Sequence, residues 1–270
     1  MAQGDGDARR SSPAIGRPRS PGPQTTRDPG AGDRKLLALA DDFVRAVRGS
    51  ELDVLTGAEV AGLELLGYAD SRLPGVLATL QARVRRSVWN MQVRLPFFAE
   101  DPWDELNERS RRAGHNTRLI LAESGLVANP LVSSQYPIVR TGPVPLSMIL
   151  LDESVVVYAG LRATSGHDTI WAASREDWVG LALGVWRSAW QLATPVLEDP
   201  DLPPLNRRQF AVACFLAQGL GDDAISRRVG VSRRTVASDV RAVMDLLGAQ
   251  SRFQAGNKLG SLRPPAGGPV

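Results

Sequence analysis

The chain has 270 residues, enough for one large domain or two ordinary ones. It is 43% hydrophobic and 23% charged, a globular balance, and holds no run of about 18 uncharged apolar residues, which argues against a membrane span or a membrane partner. Its net charge of +3 conceals a segregation: residues 1–34 sum to +2, residues 35–204 to −5 and residues 205–270 to +6, so an acidic body precedes a basic C-terminal part suited to an anionic partner.

Residues 1–33 hold five Pro and six Gly with Ile15 as the one large aliphatic residue after Met1, too little apolar surface to offset ordering entropy, and are expected to be a disordered tail. The same stretch lacks the apolar core of a secretory signal, so the expected compartment is cytoplasmic. From Leu36 to Val47 apolar residues recur at helical spacing and Gly49 closes the run. Further helices are expected over Ala58–Leu66 and from Ser71 to about Arg86. Val88–Val93 reads as a strand, Asp101–Ala113 as a helix ended by Gly114, Thr117–Leu121 as a strand, and Ile138–Arg140 as a short one. Leu146–Leu151, the turn Asp152-Glu153-Ser154 and Val155–Tyr158 read as a hairpin, Ile170–Ala172 as another strand, and Glu176–Leu192 as a helix. This order implies an α/β domain over 34–193 with a mixed sheet, which would sense or dimerise. The Pro-rich, acidic stretch 194–204 reads as a stiff linker.

Residues 205–260 read as an all-α, four-helix domain, with a disordered tail over 261–270. The first helix runs from Arg207 to Gln218, Asp222 caps the second, Gly230-Val231 turns the chain, Ser232 caps a third helix reaching about Leu247, and Ser251 caps a short last helix. A short helix, a glycine turn and a longer helix form a helix-turn-helix. In the third helix Val236, Val240, Val243 and Leu247 face inward, while Arg234, Ala237, Ser238 and Arg241 share the opposite stripe with Arg233 beside them. Such a stripe suits the DNA major groove: Arg reads guanine bidentately, Ala and Ser leave room or touch thymine methyls, and the capped N-terminus at Ser232 and Thr235 can hold a phosphate. The expected DNA-binding residues are Ser232, Arg233, Arg234, Thr235, Ala237, Ser238 and Arg241, and the expected partner is double-stranded DNA.

The segments Leu205-Asn206-Arg207-Arg208-Gln209, Ala217-Gln218-Gly219, Asp223-Ala224-Ile225-Ser226, Gly230-Val231-Ser232, Thr235-Val236 and Ser251-Arg252-Phe253-Gln254-Ala255 resemble the LuxR-type C-terminal DNA-binding domain, over about a fifth of the chain. Asn206 and Gln209 stand where such domains usually carry the Thr and Glu of Thr-x-Arg-Glu, and Ala237 and Asp239 where they usually carry Lys and His. The loss of Glu at Gln209 questions an internal ion pair, and the loss of Lys at Ala237 a phosphate contact that Arg233, Arg234 or Arg241 would replace. The resemblance implies pairing through the last helix, hence a homodimer on a two-part site.

The order of the Val88 strand, the Asn116–Leu121 strand, Val139-Arg140, Pro145–Asp152 and a Trp-rich helix resembles the phospholipase D-like effector domains of some bacterial regulators, the TrmB type. Enzymes of that superfamily place a His-x-Lys pair just before the corresponding strand; Pro145 and Ser147 stand there. Without that nucleophile and cation the expectation is a binding or dimerising relic, not an enzyme. His115 and His167 read as loop residues, Cys214 as a small buried hydrophobe, Asp152 as a turn residue, and Trp178, Trp186 and Trp190 as core. One Cys and two His argue against a metal centre, and no cofactor is expected. The expectation is a sequence-specific transcriptional regulator with a small-molecule or protein effector of unspecified identity. The alternatives are a phospholipase D-like phosphodiesterase with a DNA-targeting module, and an interaction module that keeps the helix-turn-helix for protein contacts.

Overall fold

The computed structural model describes residues 30–260 apart from positions 71, 100, 101, 130, 165 and 200–202. Most of the tail expected over 1–33, and all of that over 261–270, lies outside the described residues.

Helix α1 (Ala31–Leu55) begins ahead of the boundary placed at residue 34. Its first turn closes where the Gly30 amide donates to Asp33 Oδ2 at 3.1 Å. It also runs through Gly49, where the sequence pattern ended it. Leu36, Ala40, Phe43, Val47 and Glu51 continue one buried stripe, and a mid-helix glycine costs only about 1 kcal/mol. Leu63–Leu66, expected to end a helix over Ala58–Leu66, instead belongs to strand β1 (Leu63–Tyr68). Its apolar residues fit either period; the decision comes from the neighbouring strand β7 (Asp168–Ala173), with which it pairs antiparallel from Leu63↔Ala173 to Tyr68↔Thr169. Helix α2 (Leu73–Gln81) stops well short of Arg86.

The chain then alternates β2 (Ser87–Gln92), α3 (Pro102–Arg112), β3 (Asn116–Leu121), short helices α4 (Glu123–Ala128) and α5 (Val132–Gln135), and β4 (Val139–Thr141). Strands β5 (Met148–Leu151) and β6 (Val155–Arg162) form the expected hairpin and lead through β7 to α6 (Glu176–Leu192). Thr194–Pro195, read as linker, forms β8 and pairs with Arg140–Thr141 of β4. The eight strands make one mixed sheet in the order β1-β7-β6-β5-β2-β3-β4-β8, with β2, β3 and β4 parallel and the other pairings antiparallel. The expected α/β class with a mixed sheet is therefore present.

Strand alternation sorts the side chains into two faces. Trp89, Met91, Ile120, Met148, Leu150, Val156, Tyr158 and Trp171 pack under α1 and α6, against Phe43, Trp178, Val185 and Trp186. The opposite face is covered in two patches: Val157, Ile170 and Ala172 lie with Leu77 of α2 and Leu106 of α3, and Leu119, Leu121 and Val139 lie with Val132 and Tyr136. The result is a three-layer α/β/α arrangement.

Helices α7 (Arg207–Ala217), α8 (Asp222–Val229), α9 (Arg233–Leu247) and α10 (Arg252–Gly260) complete the described chain. The N-cap of α8 is Gly221, one residue before the expected Asp222. The core of α7, α9 and α10 is not closed by those helices alone. Phe97, from the β2–α3 connection, and Leu131 enter the same cluster as Phe210, Cys214, Val243 and Leu259. The Phe97 and Phe210 rings meet edge to face at 5.6 Å, and the Leu205 amide donates to Ser134 Oγ at 3.2 Å.

Candidate nucleic-acid interface

Helix α9 takes its position from both ends and from below. At its N-terminus Ser232 Oγ accepts the Thr235 amide at 3.2 Å and lies 2.9 Å from the Thr235 hydroxyl. At its C-terminus Gly248 adopts the left-handed conformation and Lys258 Nζ donates to the Leu247 carbonyl at 2.8 Å. Val236, Val240 and Val243 are buried beneath, where Val236 and Val240 meet Val212, Phe215 and Ile225. The turn from α8 depends on Gly230, which caps α8 at φ 72° and ψ 32°, a region that carries a Cβ penalty for other residues.

The capping positions that depart from the LuxR-type pattern still function. Asn206 Oδ1 accepts the Gln209 amide and Gln209 Oε1 accepts the Asn206 amide, each at 3.0 Å, a reciprocal box at the start of α7. Asp239 is buried on the inner side of α9 and accepts from Arg208 Nε at 2.7 Å and Nη2 at 3.2 Å, so an ion pair joins α7 to α9. Its hydrogen bonds with Asp239 hold the Arg208 guanidinium above its ordinary pKa.

This frame brings six of the seven predicted residues to the exposed side of α9. Ser232, Arg233, Arg234, Ala237, Ser238 and Arg241 are exposed and Thr235 is half-buried. Arg234, Ala237, Ser238 and Arg241 form the continuous outer stripe. Arg233 is tied to Asp223 of α8 by an exposed ion pair, so it must exchange that partner to meet a phosphate. Ser232 and Thr235 are engaged in the cap, so they position the helix before they meet any ligand. Arg233 and Arg234 lie in the first turn of α9, where the helix dipole also favours anions, and Arg241 lies two turns further on. Further along, a shallow groove of about 580 Å³ opens between α9 and the Gly248–Gln250 turn, lined by Arg241 but also by Asp245.

Two cations escaped the sequence reading. Arg227 and Arg228 end α8, are exposed, and flank the turn into α9. The signal was present as an Arg-Arg pair directly before Val229-Gly230, in the position from which the first helix of such a unit reaches the backbone.

The sheet side was read for catalysis at Pro145 and Ser147. Ser147 Oγ accepts a long hydrogen bond of 3.4 Å from the Val93 amide. His115 precedes β3 and His167 precedes β7, with three strands between them in the sheet; His167 Nδ1 lies 3.2 Å from the Ala69 carbonyl oxygen. Cys214 is buried. Asp152 is a turn residue that also holds a neighbouring segment, for its carboxylate accepts the amides of Arg85, Arg86 and Ser87 at 2.8, 2.7 and 2.9 Å. Trp178 and Trp186 are core, whereas Trp190 is half-buried beside two arginines.

No family model matches the chain, and no curated protein matches it. Among solved structures it is similar to Nuc, a phospholipase D family member from Salmonella typhimurium, at 12% identity and TM-score 0.38 over 49% of this chain and 95% of that one. It is similar to TrmBL2, an archaeal chromatin protein with a novel mode of DNA binding, at 12% identity and TM-score 0.39 over 60% and 67%. Phosphatidylserine synthase from Haemophilus influenzae matches at 12% identity and TM-score 0.37 over 60% of this chain and 45% of that one. The LuxR-type resemblance has no counterpart among these. The expectation that the chain is not an enzyme is corrected: its structural neighbours include a phospholipase D family member and phosphatidylserine synthase. The physical ground for that expectation was also narrow, since Pro145 and Ser147 speak for one strand only. Among the described residues, no helix is long and apolar enough to cross a membrane.

Proposed function

We propose that the chain is a sequence-specific regulator of transcription that binds double-stranded DNA through α9, with α8, Gly230–Ser232 and α9 as its helix-turn-helix. The observation that carries the reading is the division of α9: a buried valine side and an exposed stripe of Arg234, Ala237, Ser238 and Arg241 behind a Ser232-capped N-terminus. Arg227 and Arg228 supply phosphate contacts beside the groove. The surplus charge of +6 over residues 205–270 supports the same partner. Dimerisation through α10 is supported by Phe253, which is 84% exposed on that helix, more than any other large hydrophobic residue described. The passage from an effector-responsive α/β part to the DNA-binding part lies between β8, which ends at Pro195, and Leu205.

Selection of bound sequences from a random duplex library, followed by titration at several salt concentrations, tests this. Arg234→Ala is expected to cost about 1–3 kcal/mol and relax preference at one base position. Arg227→Ala is expected to weaken all sequences alike and to lower the salt slope by about one. Phe253→Asp is expected to weaken binding to a two-part site while sparing a half-site. Unchanged binding of the Arg234 and Arg241 variants on every duplex would reject the interface.

The second reading keeps this interface and adds turnover of a phosphodiester by the sheet domain, as the names of the structural neighbours invite. Hydrolysis of a chromogenic phosphodiester, lost on substitutions within residues 137–175, would decide for it.

A further inference from the structure

Strands β3 and β4 run parallel with Ile120 opposite Arg140, and Trp89 of β2 lies opposite Arg118. This register sends Arg118 and Arg140 to the α6 side of the sheet together with Ile120. There the Arg118 guanidinium lies 4.7 Å from the Trp89 ring centre, 5.2 Å from Trp190 and 5.6 Å from Trp186, and that of Arg140 lies 4.4 Å from Trp190. The three indoles form a continuous stack, with Trp89–Trp186 at 4.5 Å and Trp186–Trp190 at 5.0 Å.

Two like charges therefore share one indole, both half-buried, and neither has a carboxylate within ion-pair distance among the described residues. The cluster also carries a surplus of donors. Arg140 Nε, Trp89 Nε1 and Trp186 Nε1 are buried without a hydrogen-bond partner among the described residues. Guanidinium and indole N–H groups cannot accept, so the cluster cannot satisfy itself internally. Unmatched buried donors and neighbouring cations both raise the energy of this face. An anion with at least two acceptor oxygens relieves both, and planar guanidinium forks fit a phosphate or a carboxylate bidentately.

We propose that Arg118, Arg140 and the Trp89–Trp186–Trp190 stack form a binding site for a small anion bearing a phosphate or carboxylate group. The site lies on the sheet, apart from α9, and does not depend on the reading of α9 as a DNA interface. It gives the α/β part a ligand of defined chemistry.

The test uses the full chain with inorganic phosphate and with succinate as separate probes, followed by calorimetry and by indole fluorescence, in a buffer free of other oxyanions. Saturable binding of at least one probe below about 10 mM is expected, with quenching of fluorescence and a rise in the thermal midpoint. Which probe binds tells phosphate from carboxylate. Arg118→Gln and Arg140→Gln are each expected to weaken binding about tenfold or more. Their ligand-free thermal midpoints should equal or exceed that of the parent chain, because one of two neighbouring like charges is removed. Arg140→Lys keeps the charge but loses the planar fork, and should bind more weakly at an unchanged midpoint. Absence of binding by both probes overturns the proposal. So does binding that the substitutions leave unchanged, or a clear loss of ligand-free stability in either Gln variant, which would make the arginines packing elements of the core. If instead the parent chain binds neither probe while the Gln variants lose affinity for duplex DNA, the oxygens are those of DNA and the small-anion site is wrong.

Discussion

Asp152 and Glu51 are carboxylates with opposite consequences. Asp152 and Glu153 both hold positive φ, 52° and 57°, in the turn between β5 and β6. That conformation strains residues with a Cβ by about 1 kcal/mol or more each. At Asp152 burial works against ionisation, but the three amides of residues 85–87 outweigh it and hold the carboxyl below its ordinary value of 3.8. The strain of the turn is thus offset by tying it to the segment that leads into β2. Asp152→Ala is expected to lower stability by about 1–3 kcal/mol, measured by urea unfolding at pH 7. A depressed folded value means this contribution is complete above pH 3.8 and is lost as pH falls through the lower folded value. Glu51 is the reverse case. It is buried in α1 beside Tyr158, yet neither its Oε2 nor the Tyr158 hydroxyl closes a hydrogen bond of ordinary geometry. Burial pushes its carboxyl above the ordinary 4.5, and Tyr158, Arg48 and the backbone near Leu161 offset only part of this. Gly160 allows the close approach, since a Cβ there would lie 2.9 Å from Glu51 Oε1 and 2.5 Å from the Trp171 ring. A raised folded value means stability that is full below pH 4.5 and declines as pH rises. Glu51→Gln should therefore stabilise the chain at pH 7, with the gain shrinking toward pH 4.5; a loss of stability at pH 7 would show that the charge is well accommodated.

Among the elements, α9 depends on one backbone conformation in the turn from α8 and on one part-buried ion pair with α7. Gly230 has open space around an added Cβ, so only its φ resists substitution. Gly230→Ala should cost about 1 kcal/mol, seen in the thermal midpoint, and DNA affinity should fall because Ser232 then caps α9 at a shifted angle. Affinity lost with an unchanged midpoint would instead place position 230 against the nucleic acid. Asp239 is buried, and Asp239→Asn leaves Arg208 without its charge partner. The expected outcome is a lower midpoint for the C-terminal helices and looser α9 anchoring. Reversal of the pair as Arg208→Asp with Asp239→Arg should not restore it, because the longer side chain would have to fit the buried position.

At the scale of the molecule, the sheet layer and the C-terminal helices share a core. Phe97 and Leu131 pack with Leu205, Phe210 and Leu259, and Ser134 holds the Leu205 amide. Motion or ligand binding in the β2–α3 connection therefore reaches α7 by contact. Phe97→Ala removes one ring of the seam and should cost about 3 kcal/mol. The parent chain is expected to unfold in one transition and the variant in two, which calorimetry would register. A fragment beginning at residue 200 exposes Phe210 and Leu205 and should melt below the full chain; equal midpoints would show that the seam carries no stability.

The periodic elements were legible one by one. The α6 helix, the β5–β6 hairpin and the four C-terminal helices appear at or within a few residues of their expected bounds, because long amphipathic runs, glycine stops and Ser or Asn caps are local signals. The outer stripe of α9 was legible for the same reason: buried Val236, Val240 and Val243 leave only one face for Arg234 and Arg241. What the local pattern could not decide was set by partners distant in the chain. Leu63–Tyr68 is a strand because β7 offers it an edge, and α1 passes Gly49 because its stripe continues to Glu51. Thr194–Pro195 belongs to the sheet because β4 is beside it, although its prolines read as linker. Arg118 and Arg140 are 22 positions apart and carry no common spacing. Only the parallel register of β3 and β4, under the indoles of α6, makes them one site. Composition and period determined which segments form which elements; pairing and burial, which act between segments far apart in sequence, decided where their charges meet.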